Sequence, residues 1–129
     1  MIINFNTAAM KNFNIIHRQT DSYDVLELDG ELDAHTASQL EDELKRLINQ
    51  NDHQIIVNCS ELDYIASAGL GVFMAYIEDV REQGGDIKLT NMNKKVYNVF
   101  DLLGFPTLYD ILEDEKDAVK KFNNRSKNH

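Results

Sequence analysis

The chain has one cysteine, Cys59, so no disulfide can close within it. Cys59 ends the apolar run Ile55-Ile56-Val57-Asn58-Cys59, where a lone thiol reads as a small core residue. Such usage fits a reducing compartment, and a cytoplasmic location is expected. Positive charge is also scarce. The 13 basic residues face 22 acidic ones, giving a formal net charge of −9. A surface of that sign repels phosphate backbones and anionic membranes, which argues against nucleic-acid and membrane binding and favours a basic protein partner. Long apolar runs are missing too. The longest, Ala68 to Ile77, has ten residues, short of the roughly 18 that a membrane span needs. The opening MIINFNTAAMKNF lacks a basic stretch ahead of an apolar one, so it does not read as a secretory signal.

Metal and nucleotide motifs are absent as well. His17, His35, His53 and His129 show no ligand spacing with one another or with Cys59. There is no P-loop, GxGxxG, GxSxG or zinc pattern. No metal or cofactor is expected. A phosphoacceptor receiver would need an acidic pair at its strand ends, and Val25-Leu26-Glu27 and Ile55-Ile56-Val57-Asn58 offer none. A serine hydrolase would need a base beside its serine. The chain therefore reads as a binding protein and not as an enzyme.

What is present is a 129-residue chain, 43% hydrophobic, enough for one domain with a real core. Residues 1–12 are polar and aperiodic and read as a loose arm. The domain is expected over 13–122, with a frayed tail over 123–129. Phe13 to Thr20 and Tyr23 to Leu28 read as two strands around the turn signal Asp21-Ser22. Gly30-Glu31-Leu32-Asp33 leads into a helix whose stripe is Ala37, Leu40, Leu44, Leu47 and Ile48. Gln54 to Cys59 is a third strand, apolar enough to be covered on both faces. A helix follows Ser67, with Leu70, Phe73 or Met74, Ile77 and Val80 at helical spacing, and stops at Gly84-Gly85. Ile87 to Leu89 is a fourth strand. Val96, Val99, Phe100 and Leu103 mark a third helix, ended by Gly104 and Pro106. Leu108 to Leu112 is a last short strand, and Ala118, Val119 and Phe122 a final helix. This β-β-α-β-α-β-α-β-α order predicts an α/β fold, with a mostly parallel sheet of four or five strands and about four helices.

The informative segment is Ile65-Ala66-Ser67-Ala68-Gly69-Leu70-Gly71, a strand end, a serine and small residues opening a helix. Two glycines in a first turn cost about 1 kcal/mol each against alanine. They suggest that something approaches the backbone closely. Ser67 as a plain helix N-cap is the simpler reading from physics alone. Asp33, just ahead of a helix, is equally open to a capping role.

This segment resembles the signature of bacterial anti-sigma factor antagonists, the STAS family. Leu28-Asp29-Gly30-Glu31-Leu32-Asp33 resembles that family's second marker, between the second strand and the first helix. The resemblance covers about residues 13–122. It implies a partner switch, in which the unmodified chain binds an anti-sigma factor that is itself a serine kinase and so frees a sigma factor. It also implies phosphorylation at Ser67, loss of binding, and recovery through a PP2C-type phosphatase. By the same resemblance the partner surface comprises Asp33, Ala66, Ala68, Gly69, Leu70 and Gly71, and the free chain is a monomer. Ala66 stands where many phosphorylated members carry Asp, which leaves open an unswitched scaffold in which Ser67 is only a cap.

Overall fold

The computed structural model describes residues 13–127, with side chains to residue 124. The arm expected over residues 1–12 lies outside the described residues. The elements are β1 (Phe13–Gln19), β2 (Asp24–Leu32), α1 (Ala37–Asn49), β3 (Gln54–Ile65), α2 (Ser67–Glu82), β4 (Asp86–Thr90), α3 (Lys94–Leu102), a 3-10 turn (Phe105–Thr107), β5 (Ile111–Leu112) and α4 (Glu115–Lys127). The five strands lie side by side in chain order. Only the β1–β2 pair is antiparallel. The sheet is thus the mostly parallel one that the element order predicts.

Strand order decides where the helices go. From β2 to β5 each strand is added on the same side, through a parallel crossover. Right-handed crossovers in one direction put their helices on one face. The core follows that rule. Leu26 and Leu28 of β2, Ile55, Val57 and Cys59 of β3, and Ile87 and Leu89 of β4 meet the stripes of α1, α2 and α3 in one continuous cluster. Cys59 is fully buried there, and burial pushes its thiol up to about 12.

The opposite face carries one helix, α4, over a single row of the sheet. Arg18, Val25, Ile56 and Lys88 are register partners across β1 to β4. Val25 and Ile56 pack against Ala118 and Phe122 of α4. At the β1 end, Arg18 reaches Glu115 at 2.6 Å. At the other end Lys88 is 3% exposed and lies 4.8 Å from the centre of the Phe122 ring. Its ammonium bonds Asp86 at 2.9 Å and Asp110 at 2.6 Å. Burial alone would raise the Asp110 carboxyl, but hydrogen bonds from Lys88 and Lys121 outweigh it and hold the group below its usual value. Ile87-Lys88-Leu89 alternates as an exposed sheet face would, and α4 covers it.

Several boundaries differ from those the sequence predicts. β2 continues through Gly30 to Leu32, and β3 through the polar Ser60-Glu61-Leu62-Asp63 to Ile65. The two strands form a ribbon that outruns β4 and β5, with register shifts at Glu27/Asp29 and Gly30/Glu31. Gly30, at φ 112°, supplies the backbone freedom such a bulge takes. The last strand is only Ile111–Leu112, because Tyr109 turns inward and donates its hydroxyl to the Phe73 carbonyl at 2.6 Å. Residues 123–127, expected as tail, belong to α4.

Removing one partner of a buried charge cluster strands the others, whereas an apolar replacement of similar size need not. Lys88→Ala should therefore destabilise the fold by about 3 kcal/mol, and Lys88→Met by much less. Urea unfolding of the two variants checks this. Equal losses would show that the ammonium is not what holds Asp86 and Asp110.

Candidate functional site

At the C-terminal end of β2 and β3 the two informative segments meet. Leu32 and Ile65 are register partners, and the Ala66 amide donates to the Leu32 carbonyl at 2.9 Å. The turn after β2 and the start of α2 are thereby locked together, with Asp33 one residue beyond the first and Ser67 one beyond the second.

The turn holds itself. Asp33 Oδ1 accepts from the amides of His35 at 2.8 Å and Thr36 at 3.2 Å. The Thr36 hydroxyl donates to the Glu31 carbonyl at 2.8 Å and accepts from the Asp33 amide at 2.9 Å. Asp33 thus holds the turn ahead of α1, whose own N-cap is Thr36 without a side-chain cap bond, and it stays partly exposed.

Ser67 is placed differently from a cap. The N-cap of α2 is Ala66, in extended conformation, and it offers no side-chain hydrogen bond. Ser67 is the first helical residue and is exposed. Among the described residues its hydroxyl has no hydrogen-bond partner, and the amides of Ser67 and Ala68 have no acceptor. The first amides that find one are those of Gly69 and Leu70, on the Ala66 carbonyl at 3.0 and 3.2 Å. Two open amides and the positive end of a 16-residue helix thus surround a free hydroxyl. That is a setting in which a phosphate is tolerated.

The residues around it divide into two sets. Ala66 and Ala68 are half-buried and Gly71 is exposed. Gly69 and Leu70, expected on the partner surface, are buried and face the sheet. A Cβ on Gly69 would lie 2.6 Å from Leu32 Cγ and 3.2 Å from Ile65 Cγ1. The absence of a side chain here is what lets α2 rest on the β2–β3 end. Gly69 and Leu70 thus support the seating of α2 on the sheet.

Along α2 the outward stripe is Ser67, Gly71, Met74 and Glu78, all exposed. It is flanked by α1, through a Tyr76–Glu41 hydrogen bond of 2.8 Å, and by the Phe73–Phe100–Tyr109 ring cluster. At the same end of the sheet the β2–β3 ribbon exposes Asp29, Glu31, Glu61 and Asp63. Asp29 and Glu61 are direct register partners. None of the four makes a side-chain hydrogen bond or ion pair among the described residues. Sequence reading missed this concentration, because it ended the third strand at Cys59, before the polar Ser60-Glu61-Leu62-Asp63.

Comparisons with known proteins bear on this geometry. The STAS domain family model matches residues 14–118. An anti-sigma-B factor antagonist of Bacillus subtilis is 28% identical over 109 residues, covering 84% of this chain and 99% of that protein. An anti-sigma F factor antagonist of Paenibacillus polymyxa is 25% identical over 96 residues, covering 74% and 82%. Among solved structures, an anti-sigma factor antagonist from Mycobacterium paratuberculosis superposes with a TM-score of 0.79 at 18% identity, covering 86% of this chain and 94% of that one. SpoIIAA in its unphosphorylated form gives 0.65 at 24% identity, covering 86% and 97%. A structure of Bacillus SpoIIAA in the phosphorylated form matches equally well, at 0.65.

Gly69→Ala should destabilise the domain by about 1–3 kcal/mol, since Leu32 must shift to admit the methyl group. Chemical denaturation measures it. A neutral or stabilising result would mean that α2 does not depend on this close approach.

Proposed function

Because the chain belongs to the STAS domain family, we propose that it is an anti-sigma factor antagonist switched at Ser67. In this reading the unmodified protein binds an anti-sigma factor that is also a serine kinase, and so releases a sigma factor in the cytoplasm. Phosphorylation of Ser67 ends the binding, and a PP2C-type phosphatase restores it. The chain acts by binding and performs no chemistry of its own. The docking surface is the turn at Asp33, the Ala66–Ala68 junction and the exposed stripe of α2. Four carboxylates at that end of the sheet, unpaired among the described residues, favour a basic partner surface.

The observation that carries this reading is the position of Ser67. Its hydroxyl is exposed, bonded to nothing among the described residues, and set beside open amides at a helix start. A group can be added there without breaking an internal contact. A phosphoserine carries about −1.5 to −2 charge at pH 7. At a helix N-terminus that charge favours the fold, by roughly 0.3–1 kcal/mol. In a closed interface the same charge must be desolvated, which costs several kcal/mol without a matched partner group. At about 1.4 kcal/mol for each tenfold, the affinity should fall by about a hundredfold or more.

The test uses the serine-kinase anti-sigma factor of the same organism, with ATP. Phosphate should map to Ser67 alone and vanish in Ser67→Ala. The phosphorylated form should melt within a few degrees of the plain form and lose affinity by about a hundredfold, with Ser67→Asp in between. Phosphate found only elsewhere would return the chain to the scaffold reading. A large drop in melting temperature would show that modification acts by unfolding.

Asp33 separates capping from contact. Asp33→Ala should cost about 1 kcal/mol of stability through the lost turn bonds, and it should also weaken kinase binding. Calorimetric titration beside a thermal melt reads both. Lost stability with unchanged binding would leave Asp33 a cap only.

A further inference from the structure

The two glycines of α2 ask for different explanations. Gly69 is accounted for inside the molecule, by Leu32 and Ile65. Gly71 is not. A Cβ there would meet nothing within 4 Å, and its φ lies outside the left-handed region. Glycine in a helix interior is disfavoured against alanine, and nothing in the described chain offsets that penalty. Gly71 is also exposed, one turn beyond Ser67 and one turn before Met74, whose side chain is 50% exposed. The outward face of α2 therefore leaves bare backbone open to solvent at Gly71, between a serine and a projecting thioether.

From this we infer that Gly71 is a receiving hole, in which a bulky apolar side chain of the anti-sigma factor packs directly on the α2 backbone. The inference rests on the function proposed above and specifies how the partner is fitted. Met74 forms the apolar wall of the hole, and as a flexible thioether it shapes itself to what enters. Charge complementarity identifies the occupant. Among the described residues Asp29, Glu31, Glu61 and Asp63 make no side-chain bond at the Ser67 end of the sheet, and Glu78 and Asp79 are exposed further along α2. With a net charge of −9, a second copy of this chain is repelled. A basic protein surface presenting one large apolar residue is attracted and seated. The hole lies one helical turn from the Ser67 hydroxyl, so the inserted side chain also sets how close the partner comes to the phosphorylation site.

This predicts opposite signs for folding and binding. In Gly71→Ala the free domain should melt about 2–4 °C higher, as a residue of better helix propensity replaces glycine. Its affinity for the purified serine-kinase anti-sigma factor should fall by about tenfold, since a methyl group now occupies the hole. Gly71→Leu should lose a hundredfold or more while keeping the circular dichroism of the folded chain. Glu82→Ala, near the far end of α2, should bind as the unmodified chain does. The inference is overturned if Gly71→Ala and Gly71→Leu bind normally while Ser67→Asp does not, which would leave the proposed function standing without the hole. It is also overturned if Gly71→Ala lowers the melting temperature, because the glycine is then structural. If the unmodified chain fails to bind the anti-sigma factor at all, the proposed function falls and the inference with it.

Discussion

The contact on which the site depends is the seating of α2 against the end of the β2–β3 ribbon. Leu32 fills the space that a side chain on Gly69 would take. The Leu32 carbonyl accepts the Ala66 amide. One residue thus fixes α2 by packing and by hydrogen bonding. Because Leu32 is followed by Asp33, and Ala66 by Ser67, the same residue brings together two segments far apart in the chain. A helix seated one residue later would turn Ser67 by about 100° around the helix axis, away from solvent. The exposure of the hydroxyl is a consequence of this packing and not of the loop alone.

The two faces of the sheet divide the work. One face carries three helices and the continuous apolar core, so the stability of the domain resides there. The other carries α4, over a small apolar cluster flanked by ion pairs. The β2–β3 ribbon outruns β4 and β5, and its last residues expose carboxylates. A sheet so built can hold like charges close together at one end. Their mutual repulsion is a cost of order 0.2–1 kcal/mol for a directly opposed pair, small beside a core of this size. A partner of opposite sign, as the proposed function has it, would relieve that repulsion on binding.

Much of the fold was legible because its cause is periodic. The α1 stripe, the doubly covered third strand and the Gly104 stop each follow from one local rule, and each stands where it was expected. The failures share a cause as well. The third strand was expected to end at Cys59, because its continuation Ser60-Glu61-Leu62-Asp63 has an uncovered face, where polar residues are free to sit. Nothing local announces that α4, about 30 residues later, covers Lys88. Asp33 and Ser67 were both legible as helix-start residues. Only coordinates separate the one whose side chain holds a turn from the one whose side chain makes no bond among the described residues. Gly69 and Gly71 are the same letter two places apart. The environment of each, crowded for one and empty for the other, cannot be read from the string.

That last distinction explains how one short segment can build the core and still present open positions to solvent. Along α2 the inward positions Gly69, Leu70 and Phe73 are committed to the core. The outward positions Ser67, Gly71 and Met74 are exposed and make no bond among the described residues. Helical geometry interleaves the two sets at spacings of two to four residues, so a motif that looks uniform carries two independent tasks. The separation has a thermodynamic consequence. A group bonded in the native fold couples any modification of itself to unfolding, through the loss of that bond. Among the described residues Ser67 makes no such bond, so a group added to its hydroxyl would break none there. A domain only marginally stable, as single domains of this size are, can carry an added group at such a position without being put at risk.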